Sequence, residues 1–371
     1  MFYVGDSGGV HTYLNAKAQW LAKRGNCRHA IVAPSAIDGS GAAGFVGVPG
    51  VAIPCPGGYR MPWSTRIAAQ KIEELQPDLV EVGDPYQFAW AALRVKRSLD
   101  IPVLAFCHSD LPQLIAHRFG AHARRFAIRY TRNLYRRFDL VLAPSRIMAQ
   151  RLREMGIRQV RCQPLGVDTR TFRPEQRDAG LRERLGLPPD ARLLVYAGRF
   201  TREKKLHLLL EAMQRLGAPY HLLMIGSGAD LPRSERVTYL RFQHDASLLA
   251  QLIASCDVLV HPGDQETFGL VALEAMACGI PVVGVAAGGI AELVDGDTGV
   301  LVRPGSAAAL AEGISGIYDA DRAALGLNAR RKTVERYDWN SIMVQLMGHY
   351  NALLSAQPQV RSQAEGLYAP D

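Results

Sequence analysis

The chain has 371 residues, long for one hydrophobic core and natural for two. No apolar run reaches the roughly 18 residues of a membrane-spanning helix, and "MFYVGDSGG" does not read as a secretory signal, so a cytoplasmic protein is expected. The six cysteines (27, 55, 107, 162, 256 and 278) are scattered, none spaced as metal ligands, which points to reduced thiols rather than a disulfide framework or zinc site.

Taken in chain order, "SGGVHTYLNAKAQWLAKRG" (7–25) begins with two glycines and enters a helix that Gly25 stops. Val10, Leu14, Ala18 and Leu21 form its expected buried row. Gly8 and Gly9 would let an anion approach the free N–H groups of the helix start; the plain alternative is a tight turn. "HAIVAP" (29–34) reads as a strand. "GSGAAG" (39–44) spells a dinucleotide fingerprint, but the Gly- and Pro-dense "FVGVPGVAIPCPGG" after it cannot be the required helix, so a flexible loop is expected. "DLVEVG" (78–83), "PVLAFCH" (102–108) and "DLVLAPS" (139–145) are strand runs. His108 ends one of them, as a ligand-facing group or a satisfied edge residue.

Between Leu111 and Phe138 there is no acidic residue, but there are seven arginines. Arg118, Arg125, Arg129, Arg132 and Arg136 recur at helical spacing, and Phe126, Tyr130, Leu134 and Phe138 form an i, i+4 row on a neighbouring face. A basic amphipathic helix of this kind suits an anionic membrane surface. A solvated basic face is the bland alternative, and no nucleic-acid partner is expected.

The charged, proline-punctuated stretch at 164–193 breaks the rhythm and divides the chain. The expected units are an N-terminal domain at 1–168, a C-terminal domain at 169–340, a helix at 341–356 packing back on the first, and a loose tail at 357–371. Strand runs resume with "RLLVYAGR", "YHLLMIG", "DVLVHP" and "PVVGV", with helical stretches between them. This alternation predicts an α/β protein with parallel sheets. In "AGRFTREKK", Gly198 and Arg199 end a strand and Lys204 precedes a helix, which is where an open α/β sheet binds ligands. Arg can fork onto a diphosphate and Lys adds a point charge. In "HPGDQETFGLVALEAMACGIPVV" (261–283), Glu266 lies in a loop, Thr267 is the expected N-cap, and Glu274 falls within a helix. There is no Walker A, HExxH or GxSxG motif, and neither metal nor cofactor is expected.

These residues resemble glycosyltransferase family four, the retaining nucleotide-sugar-dependent enzymes of the GT-B fold. The likeness rests on E-x₇-E (Glu266, Glu274) with "GLVALEAMACGIPVV", and on "SGGVHTYL", "EVGDPY", "PLGVDTRTF", "GRFTREKK", "GSG" and "GGIAELVDGDTGVLV" in that order. It implies two Rossmann-like domains with parallel sheets facing a central cleft. It implies that Glu266 binds the donor sugar, that backbone N–H groups at Phe268, Gly269 and Leu270 reach sugar or phosphate, and that Glu274 binds the ribose. Arg199 and Lys204 would hold the diphosphate, Gly8 and Gly9 would close on it, and His108 would lie by the reacting sugar, with Asp84 and Tyr86 on the acceptor side. "FCHSDLP" and "EVGDPY" look most like α-mannosyltransferases, so the implied reaction moves a hexose, mannose favoured, from a UDP or GDP donor to a lipid-linked or envelope glycan, with the protein peripheral on the inner membrane face. A GT-B-fold nucleotide-sugar epimerase and a non-catalytic membrane scaffold are the alternatives.

Three departures from the family pattern stand out. Lys205 replaces a common Gly or Asn, and Arg241 replaces a Gly near the expected base pocket. Relatives carry a strand before the glycine pair, so a truncated or misassigned start is expected, with an N-domain sheet lacking most of its first strand.

Overall fold

The computed structural model describes residues 8–25, 27–35, 44–53, 59–232 and 234–356. The first half runs α1 (Gly9–Arg24), β1 (Ile31–Ser35), β2 (Phe45–Ala52), β3 (Arg60–Pro62), α2 (Thr65–Glu73), β4 (Val80–Val82), α3 (Gln87–Leu99), β5 (Val103–Phe106), α4 (Leu111–Tyr135), β6 (Leu140–Ala143), α5 (Arg146–Glu154) and β7 (Val160–Cys162). After a linker holding α6 (Leu181–Arg184) come β8 (Arg192–Ala197), α7 (Leu206–Leu216), β9 (Tyr220–Gly226), β10 (Val237–Arg241), α8 (Ala246–Ala254), β11 (Val258–His261), α9 (Leu270–Ala277), β12 (Val282–Val285), α10 (Ile290–Leu293) and β13 (Gly299–Val302). Three helices finish the described chain: α11 (Ala307–Asp319), α12 (Arg322–Tyr337) and α13 (Trp339–Ser355).

The second half builds one parallel sheet in the order β10-β9-β8-β11-β12-β13. Its central strands are mainly apolar, as strands covered on both faces are; β9, β11 and β12 are buried along their whole length. The order reverses between β8 and β11. Loops leaving those two strands diverge, and the crevice between them is where a doubly wound sheet receives ligands.

The first half has two separate sheets. β4-β5-β6-β7 is parallel, while β1 pairs parallel with β2, and β2 antiparallel with β3. Among the described residues no strand joins β1 to β4, and a cavity of about 730 Å³ lies there, lined by Leu14, Lys17, Ile31, Val80 and Tyr350. The expectation about a first strand concerns residues 1–7, which lie outside the described residues, as does most of the "GSGAAG" loop. The run after that loop is β2: the β-branched Val46, Val48 and Val51 outweigh its glycines and Pro49.

The buried stripe of α1 is Tyr13, Lys17, Trp20 and Leu21; of the expected row only Leu21 is fully buried, and Val10, Leu14 and Ala18 are half-buried. A lysine enters the interior because Glu81 on β4 meets its ammonium at 2.7 Å. Tyr13 donates to the same carboxylate at 2.9 Å, and Tyr350 of α13 also donates to it. Burial opposes the Glu81 charge, but Lys17 and the Tyr350 hydroxyl outweigh it and lower the carboxyl pKa. Through this knot α13 grips α1. Removing one partner from a buried ion pair leaves an uncompensated charge, at a cost of about 3–5 kcal/mol.

Candidate active site

The site grows from the C-terminal ends of β8 and β11. Beyond β8, Gly198 and Arg199 lead to a short turn, Arg202–Lys204. Beyond β11, a loop carries the chain from Pro262 to Glu266. Lys204 Nζ contacts Glu266 Oε2, and His261 Nε2 donates to the same oxygen at 3.2 Å. Burial opposes the Glu266 charge, but the ammonium and imidazole outweigh it and hold the carboxyl well below the usual range. The unexpected Lys205 has φ of +50°, a left-handed conformation that favours Gly or Asn, and its ammonium pairs with Asp264 of the same loop.

Helix α9 starts at Leu270, two residues later than Thr267 as N-cap would place it. Gly269 takes the cap position at φ +105°, where an added Cβ would lie 2.4 Å from Ile290 Cδ1. Thr267 Oγ1 instead donates across to the His108 carbonyl at 3.0 Å. Phe268 is buried beneath the loop. Glu274, on the second turn of α9, has no paired side chain among the described residues, and burial pushes its carboxyl up to about 8.

The other half supplies a neutral wall. His108 follows β5 and stacks on Phe106 at 4.3 Å between ring centroids. Burial takes its pKa down to about 4, so the ring is neutral near pH 7. Its Nε2 is buried without a partner among the described residues. Asp84, buried, accepts from the Tyr86 amide at 3.0 Å at the end of neighbouring β4, and the intervening Gly83 lies against the His108 ring. Gly8 caps α1, and Gly9 is so close to Leu270 that an added Cβ would lie 2.8 Å from its Cδ1. Arg199 Nη1 reaches Tyr59 OH at 2.7 Å.

The fold therefore gathers Gly8, Gly9, His108, Arg199, Lys204, Glu266 and the start of α9 around the junction of the halves. Two helix N-termini, Arg199 and Lys204 suit a doubly charged anion, and the two carboxylates suit hydroxyl donors. Sequence reasoning missed His261, Tyr59 and Asp264. His261 had a usable signal: it is a polar side chain ending an apolar strand, as His108 is. Beside β8–β10 lies a cavity of about 610 Å³, lined by Phe200, Ser227, Asp230, Tyr239, Arg241 and His244. Among the described residues no group of three or more His, Cys, Asp or Glu is placed to hold a metal.

The basic helix is α4, broken at Gly120 (φ +82°). Arg118, Arg125 and Arg129 are exposed, as are Phe119 (63 %) and Phe126 (76 %). Arg132 and Arg136 lie against the turn at Gly156, where Arg136 Nε donates to its carbonyl. Leu134 and Phe138 are core. No described helix is long and apolar enough to cross a membrane.

Comparison with known proteins gives the family and the fold. Residues 7–171 match the model of Glycosyltransferase Family 4, and residues 191–320 that of Glycosyl transferases group 1. A GDP-mannose-dependent alpha-mannosyltransferase of Mycolicibacterium smegmatis is 33% identical, over 75% of this chain and 74% of that protein. The sulfoquinovosyl transferase SQD2 of Arabidopsis thaliana is 30% identical over 78% of this chain, which spans 60% of that longer protein. Among solved structures, sucrose-phosphate synthase from Thermosynechococcus elongatus superposes with a TM-score of 0.77 at 25% identity, covering 95% of each chain. Anabaena Alr3699/HepE, in complex with UDP and glucose, also gives 0.77, at 21% identity over 94% of this chain and 97% of its own. The chain belongs to glycosyltransferase family four, as a hexosyltransferase of the GT-B fold.

Proposed function

We propose that the protein transfers a hexose, mannose favoured over glucose, from a UDP or GDP donor to a lipid-linked or envelope glycan with retention of anomeric configuration. The observation that carries this reading is the Lys204–Glu266–His261 cluster at the switch point, with Glu274 eight residues beyond Glu266 on α9. In the free protein Lys204 neutralises the carboxylate assigned to the sugar. An arriving diphosphate competes for Lys204 and Arg199, and so releases Glu266 to accept the sugar hydroxyls. Glu274, left without a partner, takes the ribose hydroxyls, which favour its charged form. The aromatic-lined cavity beside β10 takes the base, with Arg241 at its rim.

His108, neutral and with Nε2 unpartnered, faces the reacting end as a hydrogen-bond group and not a cation. As the glycosidic bond breaks, charge gathers on the departing phosphate, where Arg199, Lys204 and the helix ends stabilise it. That phosphate is well placed to take the acceptor proton, so neither a metal nor a protein nucleophile is required. Asp84 and Tyr86 line the acceptor side. Exposed Arg118, Arg125 and Arg129, with Phe119 and Phe126 between them, would seat the N-terminal half on an anionic bilayer carrying the acceptor. The relatives named as GDP-mannose-dependent support the choice of mannose. A panel of UDP-, GDP- and ADP-sugars tests the reading by thermal shift and then by release of the diphosphate. GDP-mannose is expected to raise the melting temperature most; stabilisation by none would sink the reading.

A further inference from the structure

The start of α5 is completed by the other half of the molecule. A helix leaves four N–H groups without intrahelical partners. Here Ala149 N makes the first intrahelical bond, to the Ser145 carbonyl at 2.9 Å, and Met148 N is capped by Ser145 Oγ at 3.2 Å. The amides of the first two helical residues go to Glu292 of α10: Arg146 N at 2.9 Å and Ile147 N at 2.6 Å, one to each carboxylate oxygen. Glu292 is largely buried, at 17 % side-chain exposure. A carboxylate on two free amides at the positive end of a helix makes short, charge-assisted bonds. The Arg146 guanidinium lies 3.5 Å from the same carboxylate but is 85 % exposed, so it adds little.

Glu292 is also tied to the donor loop. It follows the turn Gly288–Gly289, which is pressed against that loop: Gly289 N donates to Glu266 O at 2.8 Å. A Cβ on Gly288 would lie 2.4 Å from Glu266 O, and one on Gly289 2.4 Å from Phe268 Cα. From the other side, Ser145 Oγ donates to Thr267 O at 2.8 Å. The segment Glu266–Phe268 is thus clamped between the glycine turn and the start of α5, and Glu292 bolts those two together.

We infer that Glu292 is a positioning residue: by completing the N-terminus of α5 it fixes the donor loop against the N-terminal half, so turnover depends on it while nucleotide affinity does not. This rests on the reading that the loop holds the donor sugar. Nucleotide is held mainly by groups of the C-terminal half, which the bolt leaves alone, whereas the reacting end needs His108 and Glu266 in register. A misplacement of about 1 Å costs on the order of 100-fold in rate.

Amide hydrogen exchange on the full chain reads the contact without reference to activity. In Glu292→Ala, the amides of Arg146 and Ile147 are expected to exchange at least ~10-fold faster, with Met148, capped within its own half, unchanged. Unchanged exchange at 146 and 147 would overturn the contact. The kinetic arm uses UDP and GDP for binding, and UDP-glucose and GDP-mannose for turnover. Expected are nucleotide Kd values within about twofold of wild type, kcat lower by ~10- to 100-fold, and partial rescue by Glu292→Gln, which keeps an accepting oxygen. An unchanged kcat, or a nucleotide Kd that rises as much as kcat falls, would overturn the positioning role. If neither sugar nucleotide is turned over by wild type, the functional reading fails while the exchange result still decides the contact.

Discussion

The two sides of the cleft solve the problem of polar groups in opposite ways. On the C-terminal side the groups at the ends of β8 and β11 are partnered: Lys204 and His261 on Glu266, Lys205 on Asp264, Arg199 on the Tyr59 hydroxyl. On the N-terminal side the polar group facing the junction is His108, held neutral by burial with Nε2 unpaired. The difference teaches that the C-terminal side is assembled with its polar groups already partnered, with Glu274 as its exception, a carboxyl that burial leaves largely protonated at neutral pH. Ligand charge must exchange with charges already paired on one side, and meets His108 as an uncharged hydrogen-bond group on the other.

The strongest way to break this contrast is Lys204→Ala. It removes the cation proposed to hold the diphosphate and strips Glu266 of its main counter-charge, so kcat/KM for the donor should fall ~100- to 1,000-fold, measured by release of nucleoside diphosphate. Near-normal kinetics would refute the diphosphate role. Next, charge reversal of Arg118, Arg125 and Arg129 together should abolish co-sedimentation with anionic vesicles, at ~1 kcal/mol per arginine. Donor hydrolysis in solution should be untouched; undiminished vesicle binding would make α4 a merely solvated face.

Glu274 sharpens the contrast through pH. Its folded pKa, about 8, lies above the ordinary value of 4.5. The folded state therefore binds the proton more tightly, and stability falls as pH rises from about 4.5 to 8. Glu274→Gln should raise the melting temperature by ~3 °C or more at pH 9, with no gain at pH 4. An equal shift at both values would mean the carboxyl has another partner. The smallest effect is expected at Lys205. Replacement by Gly relieves the left-handed backbone but loses the pair with Asp264, and the two should cancel to within ~1 kcal/mol in denaturant unfolding.

Much of this was legible beforehand. The apolar strand runs, the order of motifs and the E-x₇-E spacing gave the α/β class and the family, because buried parallel strands and sheet-edge loops leave local signatures. What was not legible depended on contacts distant in sequence. Lys17 reads as a surface lysine until Glu81, 64 residues on, meets it. Thr267 reads as a cap until the His108 carbonyl, 159 residues away, takes its hydroxyl. Arg132 and Arg136 fit the basic stripe of α4, yet the Gly156 turn lies against them. Glu292 carries no local sign of joining α5.

The central claim is that Glu266 and Glu274 address opposite ends of one donor. Calorimetric binding of GDP-mannose, UDP-glucose, GDP and UDP to Glu266→Gln and Glu274→Gln tests it most directly. Glu266→Gln should bind the bare diphosphates at least as tightly as wild type, because Lys204 is released, while losing affinity for the sugar nucleotide. Glu274→Gln should weaken the bare and the sugar-bearing nucleotides alike. Equal behaviour of the two variants toward all four ligands would contradict the claim.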